Sequence, residues 1–377
     1  MRILVVTRSY PAAGDLYKYP FVHRRVLAYR AAGNDVAVFR PDSLAAPSTH
    51  LFDGVACLTG NAEELRRFCR DWKPDVLAAH GLTETMWEVL GPAAVDHPGR
   101  ACLHGSEIPE FMRQKAMVAP PAERAEALRQ VERRRDFWSG FFDRLPGKLE
   151  LVFVSETSVG LAAVDWAGKL DCIPYSVIPN PVDTELFAYR EKRAEDTFRV
   201  LLIRPFDSQT YANDLAVEAI SSLIESDRDN RLGFTIIGDG PLFDQTLAPL
   251  QGRSGVTIER RFLRQDEIAA EHRKHGIFLV PTRLDTQGVS RDEAMASGLV
   301  PVTNAIPAVI EFVDESCAAL AQPDNASGLA EAIRTMITSP GLFLARSKAA
   351  ADRIRADRSN AAIIPRELRL LEEAANG

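Results

Sequence analysis

Hydrophobic and polar positions along this chain alternate between two patterns, short runs that are apolar throughout and longer amphipathic stretches. RILVVT comes first, a helical pattern runs from Phe21 to Ala32 and stops at Gly33-Asn34, and DVAVFR follows. An apolar run with no polar face suits a strand covered on both sides, and its return after an amphipathic stretch predicts a β-α-β unit. Further strands are predicted at VACL (55–58), VLAAH (76–80), RACLHG (100–105) and LVFVS (151–155), with helices between most of them. After SVIP and NPVDTELF the alternation restarts with FRVLLIR (198–204), a helix from Asn213 to Ile224, GFTIIGDG, a helix after Pro241, VTIE and a helix from Asp266. IFLVP (277–281), a helix from Val289 and a strand from Val300 to Thr303 complete the series, while SGLAEAIRTMI and residues 359–375 read as further amphipathic helices. The pattern predicts an α/β chain of two doubly wound parallel sheets.

The stretch DTQGVSRDEAMASGLVPVTN (285–304) carries the strongest chemical signal. Asp285, Gln287 and Gly288 fall on the loop leaving the carboxyl end of IFLVP, and Val289 and Ser290 open the helix that holds Glu293. In an open parallel sheet ligands bind at such loops, and exposed amides at a helix start favour an anion. A carboxylate accepts two hydroxyl hydrogen bonds at once, and glycine lets phosphate oxygens approach the backbone.

DTQGVSRDEAMASGLVPV resembles the E-x7-E signature of family 4 of the retaining glycosyltransferases, with Asp285 where that family usually has Glu and with Gly288, Glu293 and the EAMASG core in place. The resemblance implies the GT-B fold, two Rossmann-like domains facing an interdomain cleft. It divides the chain at NPVDTELF, similar to the family's PNGVD linker with Pro181 in place of Gly, into residues 1–179 and 180–358. The first would be the acceptor domain, with the helix from about 359 to 377 packing back on it, and the second the nucleotide-sugar domain. By the same resemblance Asp285 contacts the donor sugar, Glu293 holds the ribose hydroxyls, and the amides near Gly288 and Val289 hold the diphosphate. Arg204 matches the first cation of the family's R-x5-K-G pattern, whereas Tyr211 stands about where its lysine would align. GDGP (238–241) resembles a GxGP turn, which makes Gly238 and Gly240 donor-side candidates, and Gly14 is the candidate in the first loop, TRSYPAAGDLYKYP. His104, in LHGSE, matches a sugar-contacting histidine, with Ser106 and Glu107 beside it as acceptor-binding candidates and His80 as a decoy at a similar strand end.

The function implied is a retaining, metal-independent hexosyltransferase, moving sugar from a nucleoside-diphosphate donor, UDP-sugar ahead of GDP-sugar, to a hydroxyl of a glycan, a lipid-linked saccharide or a small molecule. No cofactor and no metal are expected. A GT-B sugar-nucleotide epimerase and a nucleotide-sugar-binding protein without catalysis are the alternatives, since a fold does not fix a reaction.

Composition narrows the partners. A net charge of −7 and a pI near 5.6 give no bulk basic field for nucleic acid. The five cysteines are scattered without paired spacing, which suggests neither a zinc site nor a disulfide framework and fits reduced cytosol. MRILVVTRSYP is too short an apolar run for a signal peptide, and no run of 18 apolar residues follows, so a cytoplasmic protein is expected. One stretch complicates this picture. Residues 129–145 join Arg133, Arg134 and Arg135 to Phe137, Trp138, Phe141 and Phe142, which reads either as a core helix with a solvated basic face or as a peripheral membrane contact with aromatic anchors.

Overall fold

The structure is a computed structural model that describes residues 1–16, 18–143, 149–166, 168–227 and 229–377. It divides into two compact units, Met1–Pro181 with Ala361–Gly377, and Val182–Asn360.

The first unit is built on an eight-stranded sheet of order β3-β4-β2-β1-β5-β6-β7-β8. Its strands are β1 (Arg2–Thr7), β2 (Asp35–Pro41), β3 (Ser48–Phe52), β4 (Val55–Gly60), β5 (Val76–His80), β6 (Gly99–Leu103), β7 (Leu149–Phe153) and β8 (Tyr175–Val177). Five of the six residues of β1 and all of β5 are buried, which is why those segments read as unbroken apolar runs. The pairing departs from an all-parallel sheet at one place: β3 lies antiparallel to β4 across a tight turn at Asp53-Gly54, both with positive φ. Its residues are mostly exposed, so Ser48–Phe52 carries no apolar run to reveal it.

The second unit has a six-stranded parallel sheet of order β11-β10-β9-β12-β13-β14. Its strands are β9 (Arg199–Ile203), β10 (Gly233–Gly238), β11 (Val256–Arg260), β12 (Ile277–Leu279), β13 (Val300–Asn304) and β14 (Ala319–Ala321). One face packs on helices Asn213–Ser226 and Ala326–Thr338, the other on Val289–Ala296 and Pro340–Asp357. Both sheets reverse strand order once, between β1 and β5 in the first unit and between β9 and β12 in the second. Adjacent loops part in opposite directions at such a point and leave a crevice at the carboxyl ends of the strands.

The helix Asn360–Asn376 belongs to the first unit from Ala361 on, and there Ile364, Leu371 and Ala374 join the cluster around Ile3, Val5, Val22 and Val26. Glu367 anchors it by accepting from Arg25 Nε at 2.9 Å and from the Tyr29 hydroxyl at 2.7 Å, all three side chains being buried. The aromatic stretch is core. Trp138 is fully buried and donates its indole N–H to the Glu107 carbonyl at 2.8 Å, and Phe141 is 3% exposed. Trp138 and Phe141 are thus unavailable as membrane anchors, whereas Phe137 and Phe142 are half-buried. Phe137 and Phe141 do reach a groove of about 530 Å³, but Glu84, Glu88 and Asp136 line it beside Arg133 and would repel an anionic surface. Residues 144 and 145 of that stretch lie outside the described residues. No helix among the described residues is long and apolar enough to cross a membrane.

Candidate active site

In the second unit the candidate residues converge on the β9/β12 crevice. Arg204 follows β9 directly and is 6% exposed, with Nη2 donating to the Pro281 carbonyl at 2.9 Å and the guanidinium 5.1 Å from the Tyr211 ring centroid. Tyr211, at the lysine's position in the resembled pattern, thus covers Arg204 with an aromatic face rather than adding a second charge. Burial lowers the Arg204 pKa, partly offset by Asp285 and by Tyr211, and its Nε has no hydrogen-bond partner among the described residues. A buried cation with an unused donor is held ready for an anion.

The facing loop shows why its sequence reads as it does. Asp285 accepts the Thr286 and Gln287 amides through Oδ1, at 2.8 and 3.2 Å, which curls the loop and turns Gly288 toward the helix Val289–Ala296. Gly288 sits at φ 92°, ψ 60°, a left-handed conformation that any side chain would strain. The first-turn amides of that helix have no intrahelical acceptor, so this N-terminus presents donors and the positive end of a dipole. Glu293 lies one turn further on, buried to 5% exposure. Gln287 departs from expectation: its side chain is 1% exposed and donates inward to Asp292 Oδ2 at 3.1 Å, so it supports the loop from beneath. Val289 and Ser290 remain partly exposed.

Gly238 and Gly240 are explained by packing. A Cβ on Gly238 would run into the Arg204 carbonyl and the Phe206 ring, and one on Gly240 into the Phe206 backbone. The GDGP turn therefore lies flush against the chain leaving β9 and fixes where Arg204 begins. Gly14 is different. It sits on an exposed turn where an added Cβ would meet nothing, so nothing local requires glycine there.

In the first unit His104 follows β6, and its Nε2 lies 3.1 Å from His80 Nδ1 with the rings stacked. Burial holds both imidazoles well below their ordinary pKa, with Arg25 lowering both further and Asn180 bonded to His104 opposing the shift there. Both are neutral at physiological pH, so His80 is a partner of His104, missed in the sequence because the two lie 24 positions apart. Arg25 joins this network by donating to Asn180 Oδ1 at 3.0 Å. Glu107 is fully buried, its Oε2 accepting the His104 amide at 2.9 Å, and burial raises its carboxyl pKa. That placement corrects its assignment as an acceptor-binding side chain and makes it a brace for the His104 turn. Ser106 is partly buried and bonds to Tyr19.

The sequence also contains an Asp-x-Asp, Asp227-Arg228-Asp229. It follows the helix Asn213–Ser226 and precedes β10, at the amino edge of the sheet and away from Arg204, with Asp227 Oδ2 accepting the Leu232 amide at 2.8 Å. Residue 228 itself is outside the described residues.

Two doubly wound sheets with carboxyl-edge crevices, one bearing a buried cation against a glycine-started helix, are the architecture of the GT-B fold. Residues 198–339 match the model of the family described as glycosyl transferases group 1. Sucrose-phosphate synthase from Thermosynechococcus elongatus is similar over 99% of this chain and 98% of its own, at 16% identity and a TM-score of 0.75. HepE from Anabaena, solved with UDP-glucose, is similar over 99% of this chain and all of its own, at 14% identity and a TM-score of 0.71. The α,α-trehalose 6-phosphate synthase of Burkholderia multivorans covers all of this chain and 99% of its own, at 12% identity and a TM-score of 0.67. No curated protein matches the sequence at a significant level.

Proposed function

We propose that the protein is a retaining hexosyltransferase of the E-x7-E type, acting without a bound metal on a nucleoside-diphosphate sugar and a hydroxyl acceptor of a glycan or lipid-linked saccharide. The observation that carries this reading is Arg204: buried, with an unused Nε, at the sheet's switch point beside Asp285. In this reading Arg204 and the amides at Gly288 and Val289 take the diphosphate, and they stabilise it further as negative charge builds on the leaving group. Glu293 holds the ribose hydroxyls. Asp285, whose Oδ1 is committed to its own loop, offers Oδ2 to the sugar. His104, neutral and tied to His80, lends polarity and shape to the acceptor side, with Ser106 beside it. The leaving phosphate takes the acceptor proton on the face it departs from, so no side chain is required as base.

HepE was solved with UDP and with UDP-glucose, which supports a uridine nucleotide as the first donor to test here. The deciding experiment is an NMR spectrum of the product formed from a UDP-hexose and a saccharide acceptor. Retained anomeric configuration with activity unaffected by EDTA is expected. An inverted product, or activity lost to EDTA and restored by manganese, overturns the reading. Interconversion of the nucleotide sugar without an acceptor would point to an epimerase.

A further inference from the structure

Below the Gly288 loop lies a cluster that the sequence gives no reason to expect, and its charges do not balance. Arg291, Asp292 and Arg358 are 2%, 0% and 4% exposed. Arg291 grips Asp292 Oδ1 through Nη2 at 2.8 Å and Nε at 3.0 Å, and Arg358 Nε lies 3.5 Å from Asp292 Oδ2. Both guanidinium groups flank the Phe312 ring, 5.6 and 5.1 Å from its centroid. Two buried cations thus share one buried carboxylate, with Asp357 at the surface also acting on Arg358. Uncompensated buried charge is costly, so such an excess persists where an anion repays it.

The direction of the excess can be read from Gly288. Arg291 Nη1 has no hydrogen-bond partner among the described residues and lies 3.2 Å from the point a Cβ on Gly288 would occupy, with Asp285 Oδ2 3.4 Å from the same point. The unused N–H therefore abuts the residue that starts the helix Val289–Ala296, with no side chain standing between it and that residue's backbone. Arg291 also disfavours the charge on Arg204, which places both cations in one electrostatic neighbourhood.

We propose that Arg291 is the second cation of the diphosphate subsite, supplying through Nη1 and its charge what the chain gives up by carrying Tyr211 instead of a lysine. This rests on the reading of the Gly288 loop as the site of a nucleoside diphosphate. Asp292, Gln287 and Arg358 are positioning residues that hold the guanidinium in place. The arrangement makes the subsite selective for ligands with a full diphosphate, because Arg291 acts on that part of the ligand alone.

The test compares the affinities of UDP and uridine, by competition calorimetry, for the full-length wild type, Arg291→Met and Arg291→Lys. Wild type should favour UDP strongly. In Arg291→Met, UDP should weaken about 10- to 100-fold with uridine unchanged, the range expected for a hydrogen bond to a charged group. Arg291→Lys, which keeps the charge, should recover part of the loss. Asp292 keeps Arg358 and Gln287 as partners in both variants, so folding should survive; if the methionine variant does not fold, a selective loss of UDP affinity in the lysine variant supports the proposal and unchanged UDP affinity there overturns it. Equal weakening of UDP and uridine, or unchanged UDP binding in Arg291→Met, would mean that the cluster is structural only. A wild type that does not prefer UDP to uridine would instead overturn the donor-site reading, and this inference with it.

Discussion

The two units carry crevices at equivalent positions of their sheets, yet Arg25 in the first is held differently from Arg204 and Arg291 in the second. In the first, Arg25 is fully paired within the unit by Glu367 and Asn180, while His80 and His104 occupy each other as neutral rings. In the second, Arg204 Nε and Arg291 Nη1 are left without hydrogen-bond partners among the described residues, beside a helix start that adds positive potential. A closed network resists change in ligand occupancy, whereas an open one gains most when an anion arrives. If the proposed function holds, the same architecture serves a hydroxyl-rich ligand in one unit and an anionic one in the other.

The contrast is broken most forcefully on the closed side. Glu367→Ala strands Arg25 and the Tyr29 hydroxyl, and should cost about 3 to 5 kcal/mol of stability, as removal of one member of a buried pair does. Denaturant unfolding measures it, and a loss below 1 kcal/mol would mean that water reaches Arg25. Next is Arg204→Ala, which should lower kcat about 100- to 1000-fold at saturating donor, the usual effect of removing one preorganised transition-state donor. Wild-type turnover in this variant would shift the charge-neutralising role to another cation. Glu293→Gln should then weaken UDP by about 1.5 to 3 kcal/mol while leaving the fold intact, and calorimetry showing unchanged affinity would remove the ribose assignment.

The histidine pair makes a smaller, pH-dependent contribution. Both imidazoles have folded pKa values well below their ordinary 6.5, so the unfolded chain binds more protons between those values and 6.5. Their contribution is complete above pH 6.5 and is lost as pH falls from there toward the folded values, with a slope of up to about 1.4 kcal/mol per pH unit for each ring. Unfolding free energies measured from pH 7.5 to 5 should show this, and His80→Asn should flatten the curve; an unaltered slope would mean that His80 protonates in the folded state. The smallest expectation is no effect. Trp138 fluorescence should not respond to anionic vesicles at low salt, and a response would reopen the membrane contact.

The elements that fold by burying apolar runs were legible before the structure. β1, β5, β9 and the helix Val289–Ala296 stand where the alternation puts them. What escaped is what the apolar pattern does not encode. β3 is an exposed edge strand. Helix Pro340–Asp357 buries Arg346 and Ser347 as well as Phe343 and Ile354, which blurs its face. The same blindness affected the site. The spacing of Asp285, Gly288 and Glu293 pointed to one loop and one helix, but burial of a charged residue is a tertiary fact, so Arg291 and Asp292 drew no notice and Gln287 read as a ligand. His80 looked like a competitor of His104 because linear sequence does not show that two strand ends are neighbours.

The helix Asn360–Asn376 has a consequence for the order in which the molecule is made. The second unit is continuous in sequence, from Val182 to Asn360, whereas the first needs residues from both sides of it. As the chain leaves the ribosome, the segment made first must therefore wait with Arg25 lacking its carboxylate and the face around Val22, Val26 and Ile3 uncovered, until Glu367 and Leu371 emerge. The later-made unit has its whole sequence before the first unit has its last helix. Folding during synthesis runs from the amino end in most chains; here the first unit is expected to finish only after the whole of the second has been made.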